Sequence, residues 1–192
     1  FTSVIAPLAD LLSTDAAHAA AVEASLGSLL QGLVIPSIDA SPSAEEVASL
    51  RGRVTFIPLA SLPAGESVTT PDIATLEPRV SRLRDAVRPS REVPGLDALL
   101  DRLLASTYLV SSIDAAMLLG SGPLAGVRNL RFVTPDGTLI EQDGRLTAGP
   151  VAAVAGGLIQ RQTELASLEV QVADVASELD CERSLLRDLD GE

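Results

Sequence analysis

Two side chains are candidates for proton transfer or nucleophilic chemistry, because the chain contains one histidine and one cysteine. His18 lies in an alanine-rich run, whereas a general base needs an orienting partner and a substrate close by. Cys181 is flanked by Asp180 and Glu182, although a reactive thiolate needs a cationic environment. We therefore expect His18 to be structural and Cys181 to be a passive surface thiol, and we predict no catalytic residues.

Three acidic side chains late in the chain, Asp136, Glu141 and Asp143, have the chemistry of a site for a hard cation. Acids in turns and loops are also ordinarily solvated, and we favour that interpretation. A single cysteine excludes a disulfide framework or a Cys-rich zinc site within one chain. Phosphate-loop, dinucleotide and zinc-protease motifs are absent from the sequence. We predict no metal and no cofactor.

One segment, 79–91, is strongly basic and carries five arginines against one acid: Arg79, Arg82, Arg84, Arg88 and Arg91. Arginines can contact the phosphates of DNA, and such contacts depend on salt. The segment has no aromatic side chains on which bases could stack. The arginines could equally form a solvated helix face that pairs with nearby acids. The formal net charge of −12 argues against a general surface for nucleic acid or anionic membranes.

The length of 192 residues is sufficient for one domain or two small lobes with a real core. Aromatic residues make up only 2% of the chain, so Ala, Val, Leu and Ile must build that core. No apolar run approaches the roughly 20 residues that span a bilayer, and no signal peptide opens the sequence. We therefore expect a cytoplasmic protein without a membrane partner. Because the chain begins at Phe1, we also expect it to be a fragment of something longer.

Apolar periodicity and turn residues predict an alternation of helices and strands, which is typical of a mixed α/β fold. Ser43 and Glu46 have the spacing of a helix capping box. The Pro-rich segment between the two halves is predicted to contain one helix, at about 73–87. Further predicted helices cover about 15–30, 96–105 and 114–119, and predicted strands cover 33–35, 53–57, 108–110, 130–133 and 138–140.

An internal repeat links the two halves of the chain. The segment 28–41 resembles 102–116, and both contain Ser-Ile-Asp-Ala, at 37–40 and at 112–115. A helix and a strand precede the shared residues in both copies, which favours two related lobes. We divide the chain into lobe I at 1–62, a Pro-rich connector at 63–95, lobe II at 96–157 and a coiled-coil segment at 158–192.

The coiled-coil segment follows a heptad pattern over five repeats. It contains nine acids and three arginines, a formal charge of −6. A helix of this length would extend about 50 Å. Its partner helix must come from elsewhere, because the N-terminal part of the chain has no matching heptads. The a positions are Leu158, Leu165, Val172, Leu179 and Leu186, and the d positions are Arg161, Leu168, Val175, Glu182 and Leu189.

Gly144 and Gly149 lie between the last predicted strand and the coil. Glycine permits a positive φ angle and a close backbone approach. These two glycines could form a bulge and turn, or they could allow another chain to approach closely.

Several ordered motifs resemble the hinge domain of SMC proteins, the chromosome-structuring ATPases. They are Ala-Asp-Leu-Leu at 9–12, Ala-Val-Glu at 21–23 with Leu-Gly at 26–27, Gly-Arg-Val-Thr-Phe-Ile-Pro-Leu at 52–59, Val-Thr-Pro-Asp-Gly at 133–137 and Gly-Arg-Leu-Thr-Ala-Gly at 144–149. The last motif usually ends in two adjacent glycines, and Ala148 replaces the first of them here. The start of a coil directly after these motifs fits the same family.

The resemblance implies a two-lobed α/β hinge that homodimerises by pairing strands at the edges of its lobes. The dimer contact would then include Gly144, Leu146, Thr147, Ala148 and Gly149. The resemblance also implies a nucleoid-associated parent with ATPase heads, acting in chromosome condensation and segregation, whose hinge could gate DNA entry. In the parent, another helix of the same chain would pair with the coil. Two alternatives remain: a DNA-binding module that uses the 79–91 arginines, and a small α/β enzyme with a helical dimerisation tail.

Overall fold

A computed structural model of the chain describes residues 3–60, 73, 76–126, 129–149 and 157–190. Within the last range, the side chains at 158, 160, 162, 178 and 180–190 lie outside the description. The side chains of Cys181, of Leu158 and of the heptad positions after Leu179 therefore fall outside the description, as does part of the predicted connector, at 63–72 and 74–75.

Lobe I is built around a three-stranded sheet in which the middle strand, β3, binds antiparallel to β1 and parallel to β4. Single-turn 3-10 segments join several of its elements. The elements in chain order are β1 (Ala6–Pro7), β2 (Leu12–Thr14), α1 (Ala19–Leu26), β3 (Leu33–Ile35), α2 (Ala44–Ala48) and β4 (Phe56–Pro58).

The predicted capping box sets the start of α2. The Ser43 hydroxyl accepts a hydrogen bond from the Glu46 backbone N–H at 3.3 Å, and the Glu46 carboxylate accepts one from the Ser43 backbone N–H at 2.9 Å. These hydrogen bonds from Ser43 lower the pKa of Glu46. The predicted capping box is confirmed. The motif is predictive because it satisfies N–H groups that every helix leaves unpaired at its N-terminus.

Lobe II is built around a five-stranded sheet with the order β10-β9-β8-β7-β5. Strand β6 leaves this sheet and pairs antiparallel with β2, so that a two-stranded ribbon connects the lobes. The elements in chain order are β5 (Ser81–Arg82), β6 (Val87–Pro89), α3 (Leu96–Leu104), β7 (Thr107–Leu109), α4 (Ile113–Ser121), β8 (Arg131–Val133), β9 (Leu139–Glu141) and β10 (Leu146–Thr147), and α5 (Leu158–Asp190) follows.

The predicted repeat of the two lobes is confirmed by the strand pairing. In lobe I, Ala6 pairs with Val34, and in lobe II, Ser81 pairs with Leu109. Both residues of the second pair lie 75 positions after the corresponding residues of the first pair. The next pair in each lobe, β3 with β4 and β7 with β8, is parallel. Strand β4 thus corresponds to β8. Lobe II differs because β8 also carries the antiparallel strand β9, whereas β4 is the last strand of its sheet among the described residues.

One core cluster crosses both lobes, and a second lies within lobe II. Helix α3 supplies the first cluster with one leucine stripe: Leu96, Leu99, Leu100 and Leu104 are all fully buried. This spacing of i, i+3, i+4 and i+8 is that of a helix with one face on a core. The predicted helix is confirmed.

The predicted helix at about 73–87 is wrong over the residues described there. Ser81–Arg82 and Val87–Pro89 are strands, and Leu83–Ala86 forms a single 3-10 turn between them. Leu83 and Val87 are buried in the first core cluster. Their spacing of four suits a helix face, but pairing with β7 and β2 holds the flanking residues extended and overrides that local preference. The division of the chain at 63 and 96 stays a prediction.

Two elements begin three or four residues later than predicted. Helix α1 begins at Ala19 rather than at Asp15, and the Asp15 carboxylate accepts a hydrogen bond from the His18 backbone N–H at 3.0 Å. The strand predicted at 53–57 is observed at Phe56–Pro58. Asp15 therefore stabilises a turn that precedes α1 and is not the residue that caps the helix.

Candidate dimer interface

The β9–β10 hairpin is closed by a tight glycine turn. The Gly144 N–H donates to the Glu141 carbonyl, and the Glu141 N–H donates to the Arg145 carbonyl, both at 2.9 Å. Gly144 has a φ of +87°, which favours glycine, and beyond its chain neighbours no atom of the described residues lies within 4 Å of an added Cβ. The turn itself therefore explains Gly144, and its contact with another chain stays a prediction.

Charged side chains fix the shape of this turn. Arg145 forms ion pairs with Glu141 at 3.0 Å and with Asp143 at 2.7 Å. Hydrogen bonds from the Arg145 backbone and side chain lower the pKa of Asp143, and Asp143 in turn raises the pKa of Arg145. The exposed Arg145 thus holds the two acids, Glu141 and Asp143, together.

Strand β10 presents an open edge. It is the last strand of the five-stranded sheet, and residues 142–149 are all exposed. Because Arg145 bonds to Glu141, the next residue, Leu146, directs its N–H and C=O away from β9 in the alternating antiparallel pattern. The Leu146 side chain is 54% exposed. The predicted contact residues from Gly144 to Gly149 therefore lie together on an accessible sheet edge.

Strand β4 is the corresponding edge of the three-stranded sheet. The Leu33 N–H donates to the Thr55 carbonyl and the Leu59 N–H donates to the Ile35 carbonyl, at 2.8 and 2.9 Å. These alternate bonds direct the Pro58 carbonyl away from β3. That carbonyl accepts a hydrogen bond from the Arg102 guanidinium at 2.8 Å. The sequence did not predict that β4 is an edge strand. Only the comparison with lobe II, where β9 pairs with β8, shows that β4 lacks the equivalent neighbour among the described residues.

A polar cleft of about 510 Å³ lies beside these edges and is bounded by Arg102, Arg131 and Arg145. Arg131 connects the lobes, since its guanidinium donates to the Ser25 carbonyl at 3.1 Å and to the Leu103 carbonyl at 2.9 Å. Burial lowers the pKa of Arg131. The Arg131 guanidinium therefore lines the cleft and also joins the two lobes.

The five predicted DNA-contact arginines do not form one helix face. Arg84 is held by Asp97 and Asp101, each at 2.6 Å, and by the Val87 carbonyl at 2.8 Å. Arg82 is partly buried, and Arg91 reaches the Ile5 carbonyl at 3.4 Å. Of the group, Arg79, Arg88 and Arg91 are exposed. The sequence had left open that the arginines of this segment pair with nearby acids instead of contacting DNA. Arg84 does so.

The other predicted chemical residues are engaged locally. The Nδ1 atom of His18 lies 2.5 Å from the Asp15 carboxylate at the start of α1. The Asp136 carboxylate accepts a hydrogen bond from the Thr138 hydroxyl at 2.9 Å, and hydrogen bonds from Thr134 and Thr138 lower its pKa. Within the described ranges, no group of three or more His, Cys, Asp or Glu side chains could hold a metal ion.

Helix α5 confirms the predicted long helix, with 33 residues. Its first turn is docked: Ile159 is 1% exposed and lies in the core cluster shared by the lobes. The a and d positions that follow are exposed on the single chain. They are Leu165, Leu168, Val172, Val175 and Leu179.

Comparison with known proteins identifies the fold and its family. A family model described as the SMC proteins flexible hinge domain matches residues 1–119. The chain belongs to the SMC hinge family. Chromosome partition protein Smc from Lactiplantibacillus plantarum is 31% identical over 93% of this chain, which spans only 15% of that relative.

Solved SMC hinges share the fold at lower identity. An asymmetric dimer of the Geobacillus stearothermophilus SMC hinge domain has a TM-score of 0.72 at 21% identity, covering 92% of this chain and 69% of that one. A Pyrococcus furiosus Smc hinge domain with an extended coiled coil has a TM-score of 0.55 at 20% identity, covering 91% and 63%. The predicted two-lobed, mixed α/β hinge fold is thus confirmed. Among the described helices, none has the length and apolarity to cross a bilayer.

Proposed function

We propose that this chain is the homodimerisation hinge of an SMC ATPase that acts in chromosome condensation and segregation. The observation that carries the proposal is the exposed edge strand β10 in lobe II, together with β4, which is the outermost described strand of the sheet in lobe I. The names of the SMC hinge relatives support the setting of chromosome partition. The chain itself would bind rather than catalyse, and the ATPase heads would belong to the parent protein.

The repeat of the lobes supports pairing between unlike edges. Strand β4 corresponds to β8, and β8 is covered by an antiparallel strand whereas β4 ends its sheet. We propose that β10 of a second copy covers β4. Two such contacts related by a two-fold axis would close a ring, and each would join a three-stranded sheet to a five-stranded one.

The proposed contact uses Gly144, Leu146, Thr147, Ala148 and Gly149. The outward N–H and C=O of Leu146 would supply the backbone hydrogen bonds, and the exposed Leu146 side chain would supply apolar area. Gly149 has a φ of +107°, and among the described residues beyond its chain neighbours no atom lies within 4 Å of an added Cβ, which favours the close approach of another backbone. Ala148 adds one methyl group where the family pattern has glycine.

Replacing Leu146 by proline tests this contact directly. Proline removes the outward N–H but leaves the ladder to β9 intact, because that N–H is not used there. Leu146→Ala is the matched control, since it loses side-chain area but keeps the N–H. We expect Leu146→Pro to weaken dimerisation at least tenfold, about 1.4 kcal/mol, and Leu146→Ala to weaken it less. Equal dimer affinity of Leu146→Pro and the unmodified chain, measured by sedimentation equilibrium, would reject pairing at β10.

The exposed a and d stripe of α5 supports a second proposal about partners. We expect the stripe to pair with another helix of the parent chain, forming an intramolecular coiled coil that leads towards the heads. The hinge would then join two such arms in a nucleoid-associated, cytoplasmic protein.

DNA contact is the second candidate function, and a gate for DNA entry through the ring is its extension. Exposure of Arg79, Arg88 and Arg91 favours these three residues over Arg84, which two acids already hold. We expect the triple change of the three exposed arginines to glutamate to abolish any salt-dependent binding of single-stranded DNA in a fluorescence anisotropy titration. Arg84→Glu is unsuitable for this test because it would also disturb the fold. Binding that survives the triple change would exclude this surface.

A further inference from the structure

The base of the outgoing helix is held by a buried carboxylate from the far end of the chain. The Gly157 N–H, directly before α5, donates to the Glu23 carboxylate at 2.6 Å. Glu23 lies on α1, 134 positions earlier, and is only 2% exposed. A buried carboxylate is costly unless it is hydrogen-bonded, so this contact needs a structural reason.

The reason lies in the N-terminus of α5. Gly157 occupies the capping position, because its carbonyl accepts the first helical hydrogen bond, from the Arg161 N–H at 2.8 Å. Helices leave their first N–H groups unsatisfied, and negative charge near this end is favourable. In an ordinary capping box, the acid comes from the same helix. Here Glu23 supplies it from another element, so it fastens α5 to α1 as well as capping it.

A second contact fixes the same face of α5. The Thr163 hydroxyl donates to the Thr14 carbonyl at 3.3 Å, and Ile159, one turn earlier, is buried in the shared core. Residues 159 and 163 lie on one helix face because they are four apart. The described a and d side chains from Leu165 onward are exposed. The anchored part of the arm is therefore confined to its first two turns.

Thr14 also lies where the two lobes meet. It is the last residue of β2, which pairs with β6, and its hydroxyl donates to the Ala86 carbonyl at 2.7 Å. One residue thus contacts the arm through its carbonyl and the chain segment before β6 through its hydroxyl. A change in the relative position of the lobes would reach the arm at this point.

We infer that Glu23 is the positioning residue of the arm: together with Thr14 it sets the direction in which α5 leaves the body, and loss of its carboxylate releases the arm while both lobes stay folded. The inference concerns the geometry of one chain. It holds whether or not the chain dimerises through β10.

The test measures amide hydrogen exchange of Gly157 by NMR in the full 192-residue chain. The unmodified chain should protect this amide, and Glu23→Ala should speed its exchange by roughly tenfold or more, because a hydrogen bond to a charged group is lost. Exchange in α3 should stay the same if the body remains folded. Glu23→Gln keeps the size and one acceptor oxygen, so it should retain most of the protection.

Glu92→Ala, which removes an exposed acid elsewhere, is the control and should leave Gly157 unchanged. Rapid exchange of Gly157 in the unmodified chain, at the rate of an unstructured peptide, would overturn the inference. Unchanged protection in a folded Glu23→Ala chain would overturn it as well. If Glu23→Ala fails to fold, the unmodified chain and Glu23→Gln still decide, because the inference requires protection in both.

Discussion

At the scale of single residues, two turn glycines have the same backbone conformation but different surroundings. Gly137 has a φ of +89° and Gly144 has a φ of +87°. An added Cβ at Gly137 would lie 3.1 Å from the Ala20 carbonyl oxygen of α1, whereas an added Cβ at Gly144 would meet nothing within 4 Å. Gly137 is therefore required both by its turn and by the packing of that turn against α1.

We predict that alanine is worse at Gly137 than at Gly144. Both changes incur the left-handed backbone cost of about 1–2 kcal/mol, and only Gly137→Ala adds a collision with α1. Urea unfolding of the two variants measures the difference directly. A Gly144→Ala chain as unstable as Gly137→Ala would contradict the packing argument.

The carboxyl of Asp136 gives a prediction about titration. Hydrogen bonds from Thr134 and Thr138 lower its pKa, so its contribution to stability is present above the ordinary pKa of an unfolded aspartate, about 3.9, and is lost as the pH falls through the lower folded value. Thr138→Val removes one of these bonds and should raise the pKa of Asp136 towards normal. Carbon-13 NMR of the carboxyl group measures this, and an unmoved titration would show that Thr138 does not contribute.

At the scale of elements, Arg84 connects the 3-10 turn before β6 to helix α3. Its guanidinium is 20% exposed, and the partner acids Asp97 and Asp101 are 70% and 66% exposed. Because solvent screens both acids, we expect Arg84→Ala to lower the free energy of unfolding by about 1 kcal/mol. Arg88→Ala, on the exposed side of β6, is the matched control and should change it by less than about 0.5 kcal/mol. Equal effects in urea unfolding would remove Arg84 from the scaffold.

The sequence predicted those elements whose signals are local. Helix α3 follows from its leucine spacing, α2 from Ser43 and Glu46, and α5 from its heptads. The failed helix at 73–87 has a periodicity of four that strand pairing overrides, and nothing in its own residues shows β2 or β7 as partners. The same limit applies to the site. The residues from Gly144 to Gly149 could be named in advance, but their place on an open edge depends on how β8 and β9 pair.

At the scale of the whole molecule, the two lobes share one pattern of strand pairing, and among the described residues the sheet of lobe II adds the β9–β10 hairpin. Among the described residues, β4 and β10 are the outermost strands of their sheets, and we propose them as the basis for pairing between copies. The arm, α5, begins instead at an internal contact, the hydrogen bond from the Gly157 N–H to the buried Glu23 carboxylate. If both proposals hold, we expect dimerisation and arm direction to be separate properties, each of which can be changed without the other.

Sedimentation equilibrium of the 192-residue chain carrying Val172→Asp and Val175→Asp tests the central claim most directly. Both side chains are exposed on α5, at 69% and 55%, so the changes disable the helical stripe without disturbing the lobes. Dimerisation through the sheet edges predicts a species of twice the 19.8 kDa chain mass at micromolar concentration, and its dissociation when Leu146→Pro is added. A monomer of 19.8 kDa before that addition would contradict the claim and assign dimerisation to the coil.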